Sequence, residues 1–232
     1  GGVDRDKTDR TDIEMDWQAI IDYDKELLLW FNGSQSLFLD SLVRTLTNGF
    51  TWVPLYLSLC FVVMKNNETA RKILYVICCA GLCILLAGTI DDEIVKPTVA
   101  RWRPTHDPQI GMLVDIVDGY RGGRYGFFSA HASNTFSLTI FFWWLIRSRL
   151  LTTAMVLWTL TNCWTRLYLG VHYPGDILVG LCWGFISGSL VFLFYHRVTR
   201  NQKRKYMPGD MNIPVGVLVF TLVFALIKSS FA

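Results

Sequence analysis

Residues 165–176 read Thr-Arg-Leu-Tyr-Leu-Gly-Val-His-Tyr-Pro-Gly-Asp and join two strongly apolar runs, 151–165 and 177–195. The seam carries a guanidinium (Arg166), an imidazole (His172) and a carboxylate (Asp176). Ionisable groups at the edge of hydrocarbon are costly, and by default they mark functional sites. Two questions follow: whether the apolar runs are membrane spans, and whether other segments bring partners to this seam.

The chain has 232 residues, 52% of them hydrophobic, with a mean hydropathy of +0.33 and a formal net charge of +3. That length fits one domain or at most two. The charges leave long apolar blocks between them, at about 48–64, 72–90, 133–146, 151–165, 177–195 and 213–229. Several blocks are shorter than the roughly 20 residues that cross ~30 Å of hydrocarbon, but polar residues at their ends extend them. The fold class expected is an all-α integral membrane bundle of about six transmembrane helices. Gly180, Gly184 and Gly188 recur every four residues in the fifth, a flat face for close helix packing. Ahead of the spans, 17–32 and 37–46 mix apolar and charged residues too densely to cross a bilayer, and they read as amphipathic helices lying in the interface.

Residues 1–14 are polar and lack the apolar core of a signal peptide, so they read as a tag remnant or a disordered tail. Residues 15–232 are expected to form one membrane-embedded domain. All six cysteines lie within apolar runs without C-x-x-C spacing, and they read as small buried thiols. The small positive charge, with no basic groove interleaved with aromatics, excludes nucleic acid as a partner.

Basic residues set the orientation. Lys65, Arg71 and Lys72, then Arg147 and Arg149, then Arg197, Arg200, Lys203, Arg204 and Lys205 crowd one set of loops, read as cytoplasmic. The opposite set holds the N-terminal region, the long loop at about 91–132 and the 166–176 connection. The candidate chemistry therefore faces outward.

Two further groups share that face. Lys96 and Arg103 are seven residues apart, so on a helix both project from one side and make an anion cradle. The alternative is that both simply snorkel to the headgroups. Ser129 is a favoured N-cap for the helix that follows, and His131 projects from its first turn, beside free backbone N–H groups suited to phosphate. At the seam itself, Asp176 reads equally as a first-turn carboxylate after Pro174. It also stands four residues from His172, within reach of one ring nitrogen, the arrangement that orients a nucleophilic imidazole. Together these are two histidines, one Asp, three cations and a helix start, with no cluster of metal-ligating carboxylates. Such a set suits phosphate transfer.

Lys96…Arg103-Pro104, Phe128-Ser129-Ala130-His131 and Thr165-Arg166…His172…Asp176 resemble the three motifs of the type-2 phosphatidic acid phosphatase superfamily, over about 90–180. Those motifs are Lys-x6-Arg-Pro, Pro-Ser-Gly-His and Ser-Arg-x5-His-x3-Asp. Phe128, Ala130 and Thr165 depart from the pattern, and none of the three removes an ionisable group.

The resemblance implies that His172 attacks phosphorus and becomes a phosphohistidine, with Asp176 orienting it. It implies that His131 serves as general acid and then general base. Lys96, Arg103, Arg166, Ser129 and the amide of Ala130 would bind the phosphate oxygens. No metal and no cofactor are expected, because three fixed cations can supply the charge. The expected partners are the bilayer and a membrane lipid phosphate: undecaprenyl pyrophosphate or a lipid A phosphate, or else phosphatidylglycerol phosphate. The place expected is the inner (cell) membrane, with the site toward the periplasm. A lipid phosphotransferase using the same intermediate, or a non-catalytic lipid-binding or transport protein, is the alternative class.

Overall fold

A computed structural model describes residues 17–199 and 206–232. The polar segment 1–14 and the basic residues Arg200, Lys203, Arg204 and Lys205 lie outside the described residues. In chain order the helices are α1 (Trp17–Phe31), α2 (Leu37–Thr47), α3 (Val53–Lys65), α4 (Ala70–Ile84), α5 (Lys96–Val99), α6 (Ala130–Ile146), α7 (Arg149–Tyr168), α8 (Pro174–Val198) and α9 (Asn212–Ser229). Among the described residues there is no strand, only one antiparallel bridge between Trp102 and Tyr125.

Each apolar run folds as a helix, and the expected all-α bundle forms; the count of six spans is approximate. Among the described residues three helices are long and apolar enough to cross a bilayer: Ala70–Val99, Pro174–Val198 and Pro208–Ser229. A fourth span exists if Leu37–Thr47 and Gly49–Lys65, bent by 68°, count as one broken crossing. α6 falls short because it has only 17 residues and carries Ser133, Thr135, Ser137 and Thr139 buried along it. Those hydroxyls bond locally, as Thr139 does to the Thr135 carbonyl at 2.8 Å and to Thr159 Oγ1 at 3.1 Å. α6 is thus a central helix packed by protein, so it needs neither full length nor full apolarity.

α8 lies against α6 at backbone distance. A Cβ placed on Gly180 would meet the Ser129 carbonyl at 2.8 Å, one on Gly184 the Ser133 carbonyl at 2.7 Å, and one on Gly188 the Ser137 carbonyl at 2.4 Å. The glycine stripe is therefore a contact seam, as its spacing implied. The amide of Ser129 then donates to the Asp176 carbonyl at 3.1 Å, pinning the two helix starts together.

α4 and α5 form one rod interrupted by two π-helical turns, Leu85–Thr89 and Asp91–Val95. Carbonyls disturbed there are met by side chains, Leu86 by Trp183 Nε1 and Ala87 by Ser133 Oγ, both at 3.1 Å. At the opposite end, Asp210 accepts from Lys65 Nζ at 2.7 Å and Asn66 Nδ2 at 2.9 Å, stapling the α3–α4 turn to the approach to α9.

α2 departs from a purely interfacial helix: it buries Leu42, Val43, Leu46 and Thr47 against α7 and α9. All six cysteines are free thiols; Cys78 and Cys182 lie on exposed helix faces, while the other four are buried or half-buried.

The seam predicts a sharp asymmetry between glycines. Gly184→Val, forced into the Ser133 carbonyl, is expected to cost about 3 kcal/mol through overpacking. Gly81→Ala, with nothing within 4 Å, should be neutral or slightly stabilising. Thermal unfolding of the two variants in detergent checks this, and equal melting temperatures would contradict it.

Candidate active site

Alternation of the helices brings the end of the α4–α5 rod, the start of α6, the end of α7 and the start of α8 to one side of the bundle. Each of the expected residues sits there.

The shared helix face assigned to Lys96 and Arg103 is not what forms. α5 ends at Val99, Ala100 turns left-handed at φ 50°, and the chain runs extended to Arg103. Arg103 is instead held by pairing with the far end of the long loop: its amide donates to the Arg124 carbonyl, and the Gly126 amide to the Arg101 carbonyl, both at 3.0 Å. Gly126 leaves room for this, since a Cβ there would lie 2.9 Å from Arg103 Cγ.

Lys96 is also not free of carboxylates. Its ammonium pairs with Asp91 at 2.8 Å and with Asp92. The Asp91 pair depends on the π turn. Five residues on an α-helix span about 500°, which leaves side chains on different faces. The wider turn stacks them.

His172 sits in the tight turn between α7 and α8, where Gly170 at φ 62° lets the chain reverse. The ring is buried between two partners of opposite kind. Nδ1 faces the Gly126 carbonyl at 2.8 Å, and Nε2 faces the Arg103 guanidinium at 3.1 Å. A carbonyl only accepts and a guanidinium only donates, so the proton is on Nδ1 and the lone pair on Nε2. Burial, then the positive charges of Arg103, Arg166 and Lys96, push the His172 pKa well below its ordinary value. The imidazole is therefore neutral, with the Nε2 lone pair directed at Arg103.

Asp176 has no solvent exposure and is 3.7 Å from His172 Nδ1, so the bond that fixes the tautomer comes from Gly126 rather than from this carboxylate. Asp176 Oδ2 accepts the Tyr173 amide at 2.9 Å, and Oδ1 accepts Arg101 Nη1 at 2.7 Å. The helix-start role and the charge-facing role coexist in one side chain.

Arg166 is buried at the end of α7, donating Nη1 to Thr47 Oγ1 and Nη2 to the Tyr120 hydroxyl at 3.1 Å, while its Nε has no partner among the described residues. Arg103 and Arg166 repel each other, and burial together with that repulsion lowers the Arg103 pKa. An anion between them would relieve both.

Ser129 caps α6, its Oγ accepting the Ala132 amide at 3.4 Å, and its own amide is taken by the Asp176 carbonyl. The first-turn amides left without an intrahelical partner are those of Ala130 and His131. The His131 ring shares the surroundings of Arg166, Arg103, Lys96 and His172. Among the described residues no three of His, Cys, Asp and Glu gather as a metal-binding group.

Asp24, Thr47, Asp91, Arg101, Tyr120 and Gly126 also contribute contacts, and the sequence pattern assigns none of them to the site. Arg101 and Asp91 are visible as charges within the 91–104 stretch. Nothing local marks Thr47 or Asp24, because only packing brings α2 and α1 here.

A histidine kept neutral in the folded protein but protonated near pH 6.5 when unfolded binds fewer protons folded. The stability that His172 supports is present above about pH 6.5 and is lost as pH falls below it, at up to about 1.4 kcal/mol per unit. His172→Gln should flatten that acid slope in detergent melting curves, and an unchanged slope would contradict the buried neutral ring.

The family model of the PAP2 superfamily matches residues 70–200. A Lipid A 4'-phosphatase of Bacteroides thetaiotaomicron is 42% identical over 194 residues, covering 83% of this chain and 86% of that protein. A Lipid A 4'-phosphatase of Porphyromonas gingivalis is 32% identical over 183 residues, 77% of this chain and 75% of its own length. No solved structure matches the chain significantly. With its motifs gathered on one face and these likenesses over most of its length, the chain belongs to the PAP2 superfamily.

Proposed function

We propose that this chain is a membrane phosphatase that removes a phosphate from lipid A, at the outer face of the inner membrane, through a phosphohistidine. The observation that carries the reaction is the tautomer of His172, a neutral buried imidazole with Nε2 turned to Arg103. The substrate choice rests on the two Lipid A 4'-phosphatases, which favour that lipid over undecaprenyl pyrophosphate or phosphatidylglycerol phosphate. An apolar cavity of about 730 Å³ beside the site, lined by Ile20, Ile21, Phe127, Leu178 and Val179, suits a substrate with acyl chains.

In this reading the phosphate enters between Arg103 and Arg166, taking Arg103 Nη1 away from His172. Lys96, Arg103, Arg166 and the amides of Ala130 and His131 hold the three non-bridging oxygens, with Ser129 fixing the helix start that presents those amides. His172 Nε2 attacks phosphorus, the P–O bond to the sugar breaks, and His131, which takes up a proton once the phosphate's negative charge lies beside it, protonates the leaving oxygen. Gly126 keeps the proton on Nδ1, and Asp176 at 3.7 Å offsets the positive charge on the ring. Water then attacks the phosphorus, giving its proton to His131, and the P–N bond breaks to release inorganic phosphate. Catalysis by positioning and fixed positive charge is the general pattern of phosphoryl transfer.

Purified protein is expected to release phosphate from lipid A in a panel that includes undecaprenyl pyrophosphate and phosphatidylglycerol phosphate. Vanadate should inhibit, EDTA should not, and His172→Ala should abolish turnover. Normal turnover by His172→Ala sinks the mechanism. Transfer to a lipid or sugar acceptor, with no free phosphate, would make the protein a phosphotransferase. Failure to release or transfer phosphate from any lipid would support a binding or transport protein.

A further inference from the structure

The buried carboxylate of Asp176 is faced by a cation from an unspecified position of the first motif, between Lys96 and Arg103. Arg101 donates Nη1 to Asp176 Oδ1 at 2.7 Å and Nη2 to Asp24 Oδ2 at 2.6 Å. Its guanidinium lies over the Tyr173 ring, 4.2 Å from the centroid. Asp24, on α1, turns its other oxygen to the amide of Gly175 at 2.7 Å. That amide belongs to the first turn of α8, where N–H groups lack helical partners. Gly175 permits the approach, since a Cβ there would stand 2.9 Å from Asp24 Oδ2.

A planar guanidinium that spans two carboxylates fixes both in direction as well as in charge. Removing it would leave Asp176, with no solvent exposure, without its cation, the costly way to break a buried pair. Both terminal nitrogens of Arg101 are engaged on carboxylates, so Arg101 acts through Asp176 and not on a phosphate. α1 also exposes Trp17, Ile20 and Trp30, side chains suited to the headgroup layer. The same carboxylate that docks α1 therefore holds the arginine that aims Asp176.

We propose that Arg101 and Asp24 are positioning residues for the phosphatase reaction: Arg101 sets Asp176 opposite His172, and Asp24 makes the interfacial helix α1 part of that device. This rests on His172 being the nucleophile.

The test uses the full chain in detergent, with two substrates: a water-soluble short-chain lipid phosphate and lipid A in mixed micelles. Asp24→Asn and Arg101→Gln should each lower kcat about tenfold or more on both substrates, as loss of an orienting partner does, with KM little changed. The double variant should lose no more than the worse single one, because both act through Asp176. Arg101→Lys should recover part of kcat.

Wild-type kcat in Asp24→Asn and Arg101→Gln overturns the proposal. So does a loss carried by KM, a loss seen only with micellar lipid, or losses that multiply. If Arg101→Gln does not fold, Asp24→Asn, nearly isosteric at a side chain 14% exposed, decides the question by the same readouts. Wild type and His172→Ala run alongside. Active wild type, dead His172→Ala and normal Asp24 and Arg101 variants remove this inference alone. Full activity in His172→Ala removes the reading beneath it as well.

Discussion

The close approach of α6 and α8 is the contact that the rest of the site requires. Three glycines let the α8 backbone lie on the carbonyls of Ser129, Ser133 and Ser137, and the Ser129 amide closes the upper end on the Asp176 carbonyl. With no hydrophobic effect separating helix from lipid, such van der Waals and main-chain contacts are what drive association within a bilayer. The consequence is geometric. The start of α6, with its cap and His131, and the start of α8, with Asp176 and the preceding His172, cannot move apart without breaking that seam. The two imidazoles of the proposed reaction are thus brought together by backbone packing, and the His172 ring is then oriented by Gly126 and Arg103.

On this frame the chain gathers Lys96, Arg103 and Arg166, three cations that are all largely buried. Their partners differ in kind. Lys96 rests on Asp91 and Asp92, Arg166 on two hydroxyls with its Nε unmet, and Arg103 on carbonyls and the His172 ring. The neutral partners of the two arginines satisfy donors without cancelling their charge, so the site keeps a positive field in a low-dielectric place, where it acts strongly. That field also accounts for the neutral His172, since an imidazolium would sit among like charges.

Residue types and the gathering of the motifs at one side of the bundle are legible in the sequence, because motif spacing and the alternation of apolar runs depend on near neighbours. The glycine period is equally readable for the same reason. What the sequence misleads on depends on departures from regular helix. Seven residues from Lys96 to Arg103 are measured along a helix that stops at Val99 in a left-handed turn. The second π turn, Asp91–Val95, invisible in composition, brings Asp91 onto Lys96. Span length is a poor guide in α6 because its buried hydroxyls face protein, where they find carbonyls and each other. Thr47 and Asp24 carry no signal at all, since their relevance arises from packing over more than a hundred residues of chain.

The departure of Phe128 from the motif's proline has a physical basis in the fold. Proline has no amide hydrogen, whereas the Phe128 amide donates to Asp91 Oδ1 at 3.1 Å. The second oxygen of the same buried carboxylate holds Lys96 at 2.8 Å. A residue with an N–H at this position therefore joins the end of the α4–α5 rod to the entry of α6, next to the Ser129 cap. The side chain contributes separately, its ring packing 6.4 Å from Trp183 on α8. What looks in the sequence like the loss of a rigid residue is, in the fold, a substitution that supplies a donor to a carboxylate that would otherwise have Lys96 as its chief partner. It also adds an aromatic brace, so the helix start that presents the amides of Ala130 and His131 is held from two sides.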